Sequence, residues 1–283
     1  MLPILSIRHG SFYFKLFDGM FRNLIIFIAA LQLSACSIFG PLPDRMGQQL
    51  VEGNQQNREV LIILLPGIFS DSQDMMQRGV PDAIHRGWPE PDILMADLTI
   101  NFYRKGLATK RLHDEIVVSA RQQGYSEIWL AGGSMGGMGT LMYEWQHPGE
   151  MDGLVLISPY MGSGDVTDAI REAGGLKFWD SGERLMVMQS DNYDRLIWQM
   201  AQDWIGDQAK LQRVWLMCGD EDRLYPDVKM LGAILPEDRY FPGSGGHSWD
   251  YWIPNIEKIF HAVAESRRTR FSELNGLIQQ PER

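Results

Sequence analysis

A serine lies among closely spaced glycines in the segment Gly132–Gly136, directly after the apolar run Trp129–Ala131. The pattern G-x-S-x-G is typical of a nucleophile elbow, a tight turn from a buried strand into a helix. Such a turn presents the serine hydroxyl above the sheet, where a general base can take its proton. The glycines let strand and helix approach without a clashing Cβ. Ser134 is therefore the candidate nucleophile, and the amide of Met135 is a candidate oxyanion donor.

A serine nucleophile needs a histidine base, and in an elbow of this kind the chain order is serine, acid, histidine. Three histidines follow Ser134. His147 ends the helix after the elbow, and His261 lies in a predicted helix beside its apolar stripe. His247 lies in the glycine-rich loop Pro242–Trp249, from which an imidazole can reach the end of another strand. His247 is therefore the candidate base.

The acid is expected directly after the apolar run Arg213–Cys218, which predicts a buried strand. Its role would be to hold the imidazole in the right tautomer and to stabilise its cation. The loop offers three carboxylates, on Asp220, Glu221 and Asp222. At least two of them must be solvated loop charges, and spacing alone leaves the choice open.

Short apolar runs alternate with amphipathic segments along the rest of the chain. Runs that are apolar throughout suit strands buried on both faces of a parallel sheet, so the pattern predicts a doubly wound, mostly parallel α/β fold. Strands are predicted at 59–65, 92–96, 127–131, 153–159 and 213–218, with a short last strand in 236–241. Helices are predicted at 73–86, 109–123, from the elbow to 145, and at 255–266.

Four segments together resemble the α/β-hydrolase superfamily of serine esterases and lipases, over about residues 59–266. They are Leu65-Pro66-Gly67, the Gly132–Gly136 elbow, the segment from Gly219-Asp-Glu-Asp222 to Pro226, and Gly246-His247. In that family the acid commonly lies three residues after the glycine and shortly before a proline. The resemblance therefore selects Asp222 over Asp220.

The resemblance also implies a second oxyanion donor in the loop after the first strand. The family often has a histidine at the position of Pro66, and some lipases and esterases have a proline there, as this chain does. The residue after the glycine usually donates the amide, which indicates Ile68, or Phe69 if the loop is shifted by one residue.

The segment 160–210 lies where such enzymes insert a cap, so a small helical cap over the nucleophile is expected there. Phe69, Trp179, Trp198 and Trp249 are candidate walls of the substrate pocket. Met135, Met138 and Met142 follow at helical spacing and are expected to pack behind the elbow. No metal-ligand cluster or phosphate-binding loop is visible, so neither a metal nor a cofactor is expected.

The N-terminal residues resemble a bacterial lipoprotein signal. Arg22 precedes the apolar run Leu24–Leu33, which ends in Leu33-Ser34-Ala35-Cys36, and secretory signals share this order. The run is shorter than the roughly 20 residues of a membrane-spanning helix. The lipobox resemblance implies that residues 1–35 are removed and that Cys36 carries the lipid. A plain signal peptide or a short membrane anchor is the alternative, and Met20 is an alternative start.

The expected organisation is therefore a signal at 1–35, a lipid-anchored polar tether at 36–58 and a hydrolase domain at 59–283. The resemblance to bacterial lipoproteins implies that Ser37, rather than an aspartate, after the cysteine favours sorting to the outer membrane, facing the periplasm. Besides Cys36 the chain has only Cys218, so a lipidated Cys36 leaves no internal disulfide. The net charge of −10 argues against nucleic acid as a partner. The sequence does not indicate an oligomeric state.

The leading hypothesis is a serine hydrolase at the bacterial cell envelope that cleaves carboxylic esters, from small molecules or lipids, through an acyl-enzyme. An acyltransferase or a thioesterase with the same triad is an alternative. A non-catalytic envelope lipoprotein that uses the fold as a binding scaffold is another.

Overall fold

The computed structural model describes residues 41–162 and 164–278. Cys36, the signal segment and the first residues of the expected tether lie outside this range. The chain divides into two compact units, Met1–Pro43 and Asp44–Arg283, and the sheet belongs to the second. Among the described residues, no helix is both long enough and apolar enough to cross a membrane.

Seven strands of the described range form one sheet in the order β1-β3-β2-β4-β5-β6-β7. The first strand pairs antiparallel with β3, and every other neighbouring pair is parallel. This confirms the predicted mostly parallel sheet. The strands are β1 Gln48–Val51, β2 Val60–Leu65, β3 Asp92–Ala96, β4 Glu127–Gly133, β5 Gly153–Ile157, β6 Val214–Gly219 and β7 Tyr240–Gly243.

Helices cover both faces of this sheet. They are α1 Ser72–Gln77, α2 Val80–Gly87, α3 Ile100–Arg104, α4 Ala108–Leu112, α5 Val118–Gln122, α6 Met135–Gln146, α7 Gly164–Glu172, α8 Tyr193–Asp203, α9 Gln208–Leu211, α10 Tyr225–Gly232 and α11 Trp249–Ile278. A π-helical turn, His113–Val117, joins α4 to α5. The amphipathic helix predicted at 109–123 is therefore present, with a wider turn at its centre.

The core explains why the central strands are apolar at every position. Strands β2, β5 and β6 are buried along their whole length, because both of their faces are covered. On one face the core includes Ile84 of α2 and Phe260 of α11, and these two helices pack against each other. On the other face α6 packs against β2, β4 and β5.

The prediction of a polar tether at 36–58 is wrong from Asp44 onward, because this part of the chain belongs to the folded unit. Strand β1 pairs with β3 from Gln48 opposite Ala96 to Val51 opposite Ile93. Met46 is only 5% exposed, and its amide donates to Glu115 at 2.6 Å. Edge pairing rather than an apolar pattern holds this segment, since β1 is largely exposed.

Helices α7, α8 and α9 lie between β5 and β6, which confirms the predicted helical insertion. Two of the differences between predicted and observed boundaries lie near the loop of His247. The last strand begins only at Tyr240, after a 3-10 turn at Glu237–Arg239. The closing helix, predicted at 255–266, already begins at Trp249, so it follows directly on the loop that carries His247.

Candidate active site

The parallel strands bring the candidate residues to one edge of the sheet, because their carboxyl ends lie together. Ser134 follows β4, the acid loop follows β6, and His247 follows β7. The last two loops are joined by backbone hydrogen bonds, from Asp220 to Gly243 at 2.8 Å and from Glu221 to Gly245 at 3.0 Å. The acid and the histidine are therefore held on neighbouring, connected loops.

The elbow forces Ser134 into a conformation that few non-glycine residues adopt. Its φ is 54° and its ψ is −114°, outside the regions that suit a residue with a Cβ. A Cβ on Gly132 would lie 2.3 Å from the Gly136 backbone, and one on Gly136 would lie 2.2 Å from the Leu65 oxygen. Glycine at 132 thus allows β4 and α6 to meet at so sharp a turn, and glycine at 136 allows α6 to pass close to the end of β2.

Ser134, His247 and Asp222 form one line of hydrogen bonds. Since a carboxylate only accepts, Nδ1 of His247 donates to Oδ2 of Asp222, at 2.7 Å. The Nε2 atom then accepts from the Ser134 hydroxyl, at 3.0 Å. The alternative acid, Asp220, instead accepts from the Gly245 amide at 3.3 Å. The structure brings together the three residues that the sequence selected, in the order that a charge-stabilised base requires.

Asp222 is held as a carboxylate by the groups around it. Burial raises its pKa, but hydrogen bonds from His247, the Leu224 amide and Ser158 outweigh burial, so the pKa of Asp222 lies below its ordinary value. The Leu224 amide donates to Oδ1 at 2.9 Å. The acid therefore stays ionised, as its role beside an imidazolium would require.

Two further residues of this site, Ser158 and Trp252, were not predicted. Ser158 follows β5, is fully buried and has a φ of 42°, which a residue with a Cβ rarely adopts. Its oxygen accepts from Trp252 Nε1 at 3.1 Å, while its hydroxyl supports Asp222. The Trp252 ring meets the His247 ring edge-on, at 4.7 Å between centroids. The positive φ of Ser158 can be seen only in the structure.

The two candidate oxyanion donors lie beside Ser134. Met135 is the first residue of α6, where a helix has amides without an intrahelical acceptor. Ile68 lines the same cavity as Ser134 and Met135. A Cβ on Gly67 would lie 3.8 Å from the Ser134 Cβ, so the loop after β2 passes directly by the nucleophile. Phe69, the alternative, is 85% exposed and does not line the cavity.

A cavity of about 1060 Å³ opens at Ser134, but the predicted walls do not line it. Trp198 is fully buried and donates to the Met161 carbonyl at 3.0 Å. Trp179 is likewise buried, and Trp249 packs against Trp252 at 5.1 Å. Trp179 and Trp198 fill the protein interior and Trp249 is partly buried against the core, so their prediction as pocket walls, like that of Phe69, was wrong.

Side chains expected to be ordinary packing line the cavity instead. Met135, Met138 and Met142 of α6 face it, together with residues of α3, α4 and the segment 186–190. The lining also contains Arg104, Lys105 and Arg223 and, within the described residues, no carboxylate. The charged side chains that line the cavity are therefore all positive, whereas the chain as a whole has a net charge of −10.

The fold also assembles a group of potential metal ligands that the sequence did not indicate. Donor atoms of His113, His147 and Glu150 lie within 4.8 Å of one another. The two imidazoles stack, however, at 4.4 Å and 7°, so their in-plane lone pairs run parallel rather than towards one ion. The Tyr143 hydroxyl donates to Glu150 at 2.7 Å. The arrangement fits a stacked, hydrogen-bonded cluster better than a metal centre.

The sequence matches no protein-family model. It also matches no curated protein. Solved structures do resemble the chain. A ferulic acid esterase has a TM-score of 0.57 and 16% identity, covering 78% of this chain and 92% of its own.

Two further structures are similar in the same way. FphF, a fluorophosphonate-binding serine hydrolase of Staphylococcus aureus, has a TM-score of 0.54 and 16% identity, with coverages of 76% and 91%. Est1E from Butyrivibrio proteoclasticus has a TM-score of 0.53 and 15% identity, with coverages of 80% and 95%. With the sheet order and the helical insertion, these similarities show that the chain has the α/β-hydrolase fold.

Proposed function

We propose that the protein is a serine hydrolase that cleaves carboxylic esters through an acyl-enzyme. The observation that carries this proposal is the line of hydrogen bonds from Ser134 through His247 to Asp222, at the end of a cavity large enough for a substrate. The names of the similar structures, a ferulic acid esterase and a fluorophosphonate-binding serine hydrolase, support the same class of reaction.

The proposed reaction has two symmetrical halves. Ser134 Oγ bonds to the ester carbonyl carbon while its proton passes to His247 Nε2, and Asp222 stabilises the resulting imidazolium. The amides of Met135 and Ile68 would hold the oxyanion. The bond to the alcohol then breaks, and His247 returns the proton to the leaving oxygen. Water, deprotonated by the same imidazole, then bonds to the acyl carbon; the bond to Ser134 Oγ breaks, the acid leaves, and His247 returns the proton to Ser134 Oγ.

Covalent labelling tests the nucleophile. The purified protein should react with a fluorophosphonate probe and hydrolyse p-nitrophenyl butyrate. Ser134→Ala should abolish labelling and reduce hydrolysis to the background rate, because the attacking oxygen is gone. Labelling that survives the substitution would show that another residue is the nucleophile.

We further propose that Cys36 is lipidated and that the protein acts at the bacterial cell envelope, in the outer membrane facing the periplasm. The lipobox-like Leu33-Ser34-Ala35-Cys36 segment supports this proposal. Cys36→Ser should block processing or move the protein from the membrane to the soluble fraction. An unchanged distribution after fractionation would refute the lipid anchor.

A further inference from the structure

The lining of the Ser134 cavity follows one face of helix α6. Met135, Met138, Met142, Trp145 and Gln146 all line the cavity, and their spacing of three and four residues places them on a single helix face. At a rise of about 1.5 Å per residue, this face runs for about 17 Å from Met135 to Gln146. The cavity therefore includes a groove that runs from the nucleophile along the helix.

The far end of this groove is marked by a polar contact. The Thr109 hydroxyl of α4 donates to the Gln146 side chain, and both residues line the cavity. Between this pair and Ser134, the α6 side of the groove is formed by methionines and Trp145. The α6 wall of the groove is thus apolar between its two ends, whereas Arg104, Lys105 and Arg223 contribute charged side chains to other parts of the lining.

Methionine also forms part of another wall. Met186 and Met188, in a segment without helix or strand, line the groove with Val187. Met186 is 78% and Val187 63% exposed, which leaves apolar surface at the opening for a ligand to cover. Unbranched thioether side chains adapt to flexible apolar ligands, whereas a rigid ring needs a wall of matching shape.

We propose that the groove binds an unbranched aliphatic acyl chain of about 10 to 14 carbons, extended along α6 from Ser134 towards Gln146. This inference rests on the proposed ester hydrolysis and names its substrate class. An extended chain advances by about 1.25 Å per carbon, given a C–C bond of about 1.5 Å. A groove of about 17 Å accommodates such a chain and is longer than a short acyl group requires.

Chain-length dependence of kcat/KM is the first part of the test. Monomeric p-nitrophenyl esters from C2 to C14 should show kcat/KM rising with length, by up to about fourfold per buried methylene. The rise should end where the groove ends. A maximum at C2 to C4, or a better rate with p-nitrophenyl cinnamate than with any aliphatic ester, would overturn the inference.

A variant that blocks the groove is the second part. Met142 lies about 10 Å along the helix from Met135, so Met142→Trp should obstruct chains longer than about C8. The C12 to C4 ratio of kcat/KM should fall at least tenfold, with the C4 ester as internal reference. Met188→Trp, which narrows the groove from the loop segment, should lower the same ratio.

The matched control is Met76→Trp, at a residue of α1 that is 42% exposed and does not line the cavity. It should leave the ratio unchanged. Equal losses for the C4 and C12 esters in both groove variants would contradict the proposed binding mode. A wild-type protein that hydrolyses none of the esters and resists the fluorophosphonate probe would refute the proposed function itself, which is a different result from hydrolysis without chain-length preference.

Discussion

At the scale of single residues, the site depends on which carboxylate faces His247. Asp222 is 3% exposed and accepts hydrogen bonds from the imidazole and from the Leu224 amide. Asp220, two residues earlier, is occupied with the backbone of the histidine loop. Two neighbouring acids of one loop therefore have different roles: Asp222 binds the imidazole, and Asp220 binds the backbone of the histidine loop.

Substitution of these two acids should separate the tasks. Asp222→Asn should lower kcat by about 10⁴-fold, because an amide in place of the carboxylate favours the wrong imidazole tautomer. Asp220→Asn should change kcat less than about tenfold, since the amide oxygen can still accept from Gly245. Steady-state kinetics on p-nitrophenyl butyrate measure both. Similar losses in the two variants would reassign the acid.

Ser134 could be predicted because the geometry of its turn restricts the sequence nearby, whereas His247 followed from the chain order and Asp222 from the family resemblance. Glycine must flank Ser134 where β4 meets α6, and such constraints leave a pattern in the chain. Ser158 and Trp252 leave none. Their hydrogen bond joins residues 94 positions apart, and its existence depends on how α11 crosses the end of β5.

At the scale of elements, helix α6 contributes to both the groove at the nucleophile and the stacked histidine cluster. Its amino end follows Ser134 and one of its faces lines the groove, whereas its carboxyl end leads into His147 of the stacked cluster. Trp179 and Trp198 were misassigned because their position in the insertion indicated a cap but not which way each ring would point. A large aromatic ring is removed from water in the protein interior as well as in a pocket wall, so hydrophobicity does not distinguish the two positions.

The stacked histidines should make stability depend on pH. Burial chiefly, and the nearby His113, lower the pKa of His147, while Glu150 and Asp114 oppose this shift. In the unfolded chain its pKa is about 6.5, so below that pH the unfolded chain takes up the proton more readily. The contribution of His147 is therefore complete above pH 6.5 and is lost as pH falls through the lower pKa of the folded state.

A His147→Phe variant tests this dependence, since phenylalanine keeps the ring stack with His113 and Tyr143 but cannot be protonated. The fall in Tm between pH 7.5 and pH 5.5 should be smaller than in the wild type, by on the order of 1–2 °C. His261→Gln, an exposed position in α11, is the control and should follow the wild-type curve. Parallel curves for His147→Phe and wild type would contradict the assignment.

At the scale of the whole molecule, the folded unit begins earlier than its sequence suggests. Gln48 and Gln49 have no strand-like apolar alternation, so the polar segment was predicted to be a tether. The structure uses it to cover the edge of β3, and the Gly53 amide donates to Asp92 at 2.8 Å. Pairing at the edge of a sheet depends on backbone hydrogen bonds rather than on apolar side chains. For this reason no hydrophobic pattern in the sequence indicates strand β1.

Two truncated chains would test the importance of this edge. A chain that begins at Asp44 keeps the whole folded unit and is the reference. A chain that begins at Arg58 lacks β1 and the buried Met46, and its Tm should be lower by about 5–10 °C. Thermal unfolding of both proteins gives the comparison. Equal Tm values would show that β1 contributes little to stability.

The place where β1 joins the sheet also limits the distance between the proposed lipid anchor and the folded unit. From a lipid on Cys36, the chain to Asp44 spans at most about 28 Å, whereas a tether lasting to residue 58 would span about 80 Å. The start of the edge strand would therefore limit how far from the bilayer the proposed anchor lets the folded unit move, to about a third of the distance that the longer tether would allow.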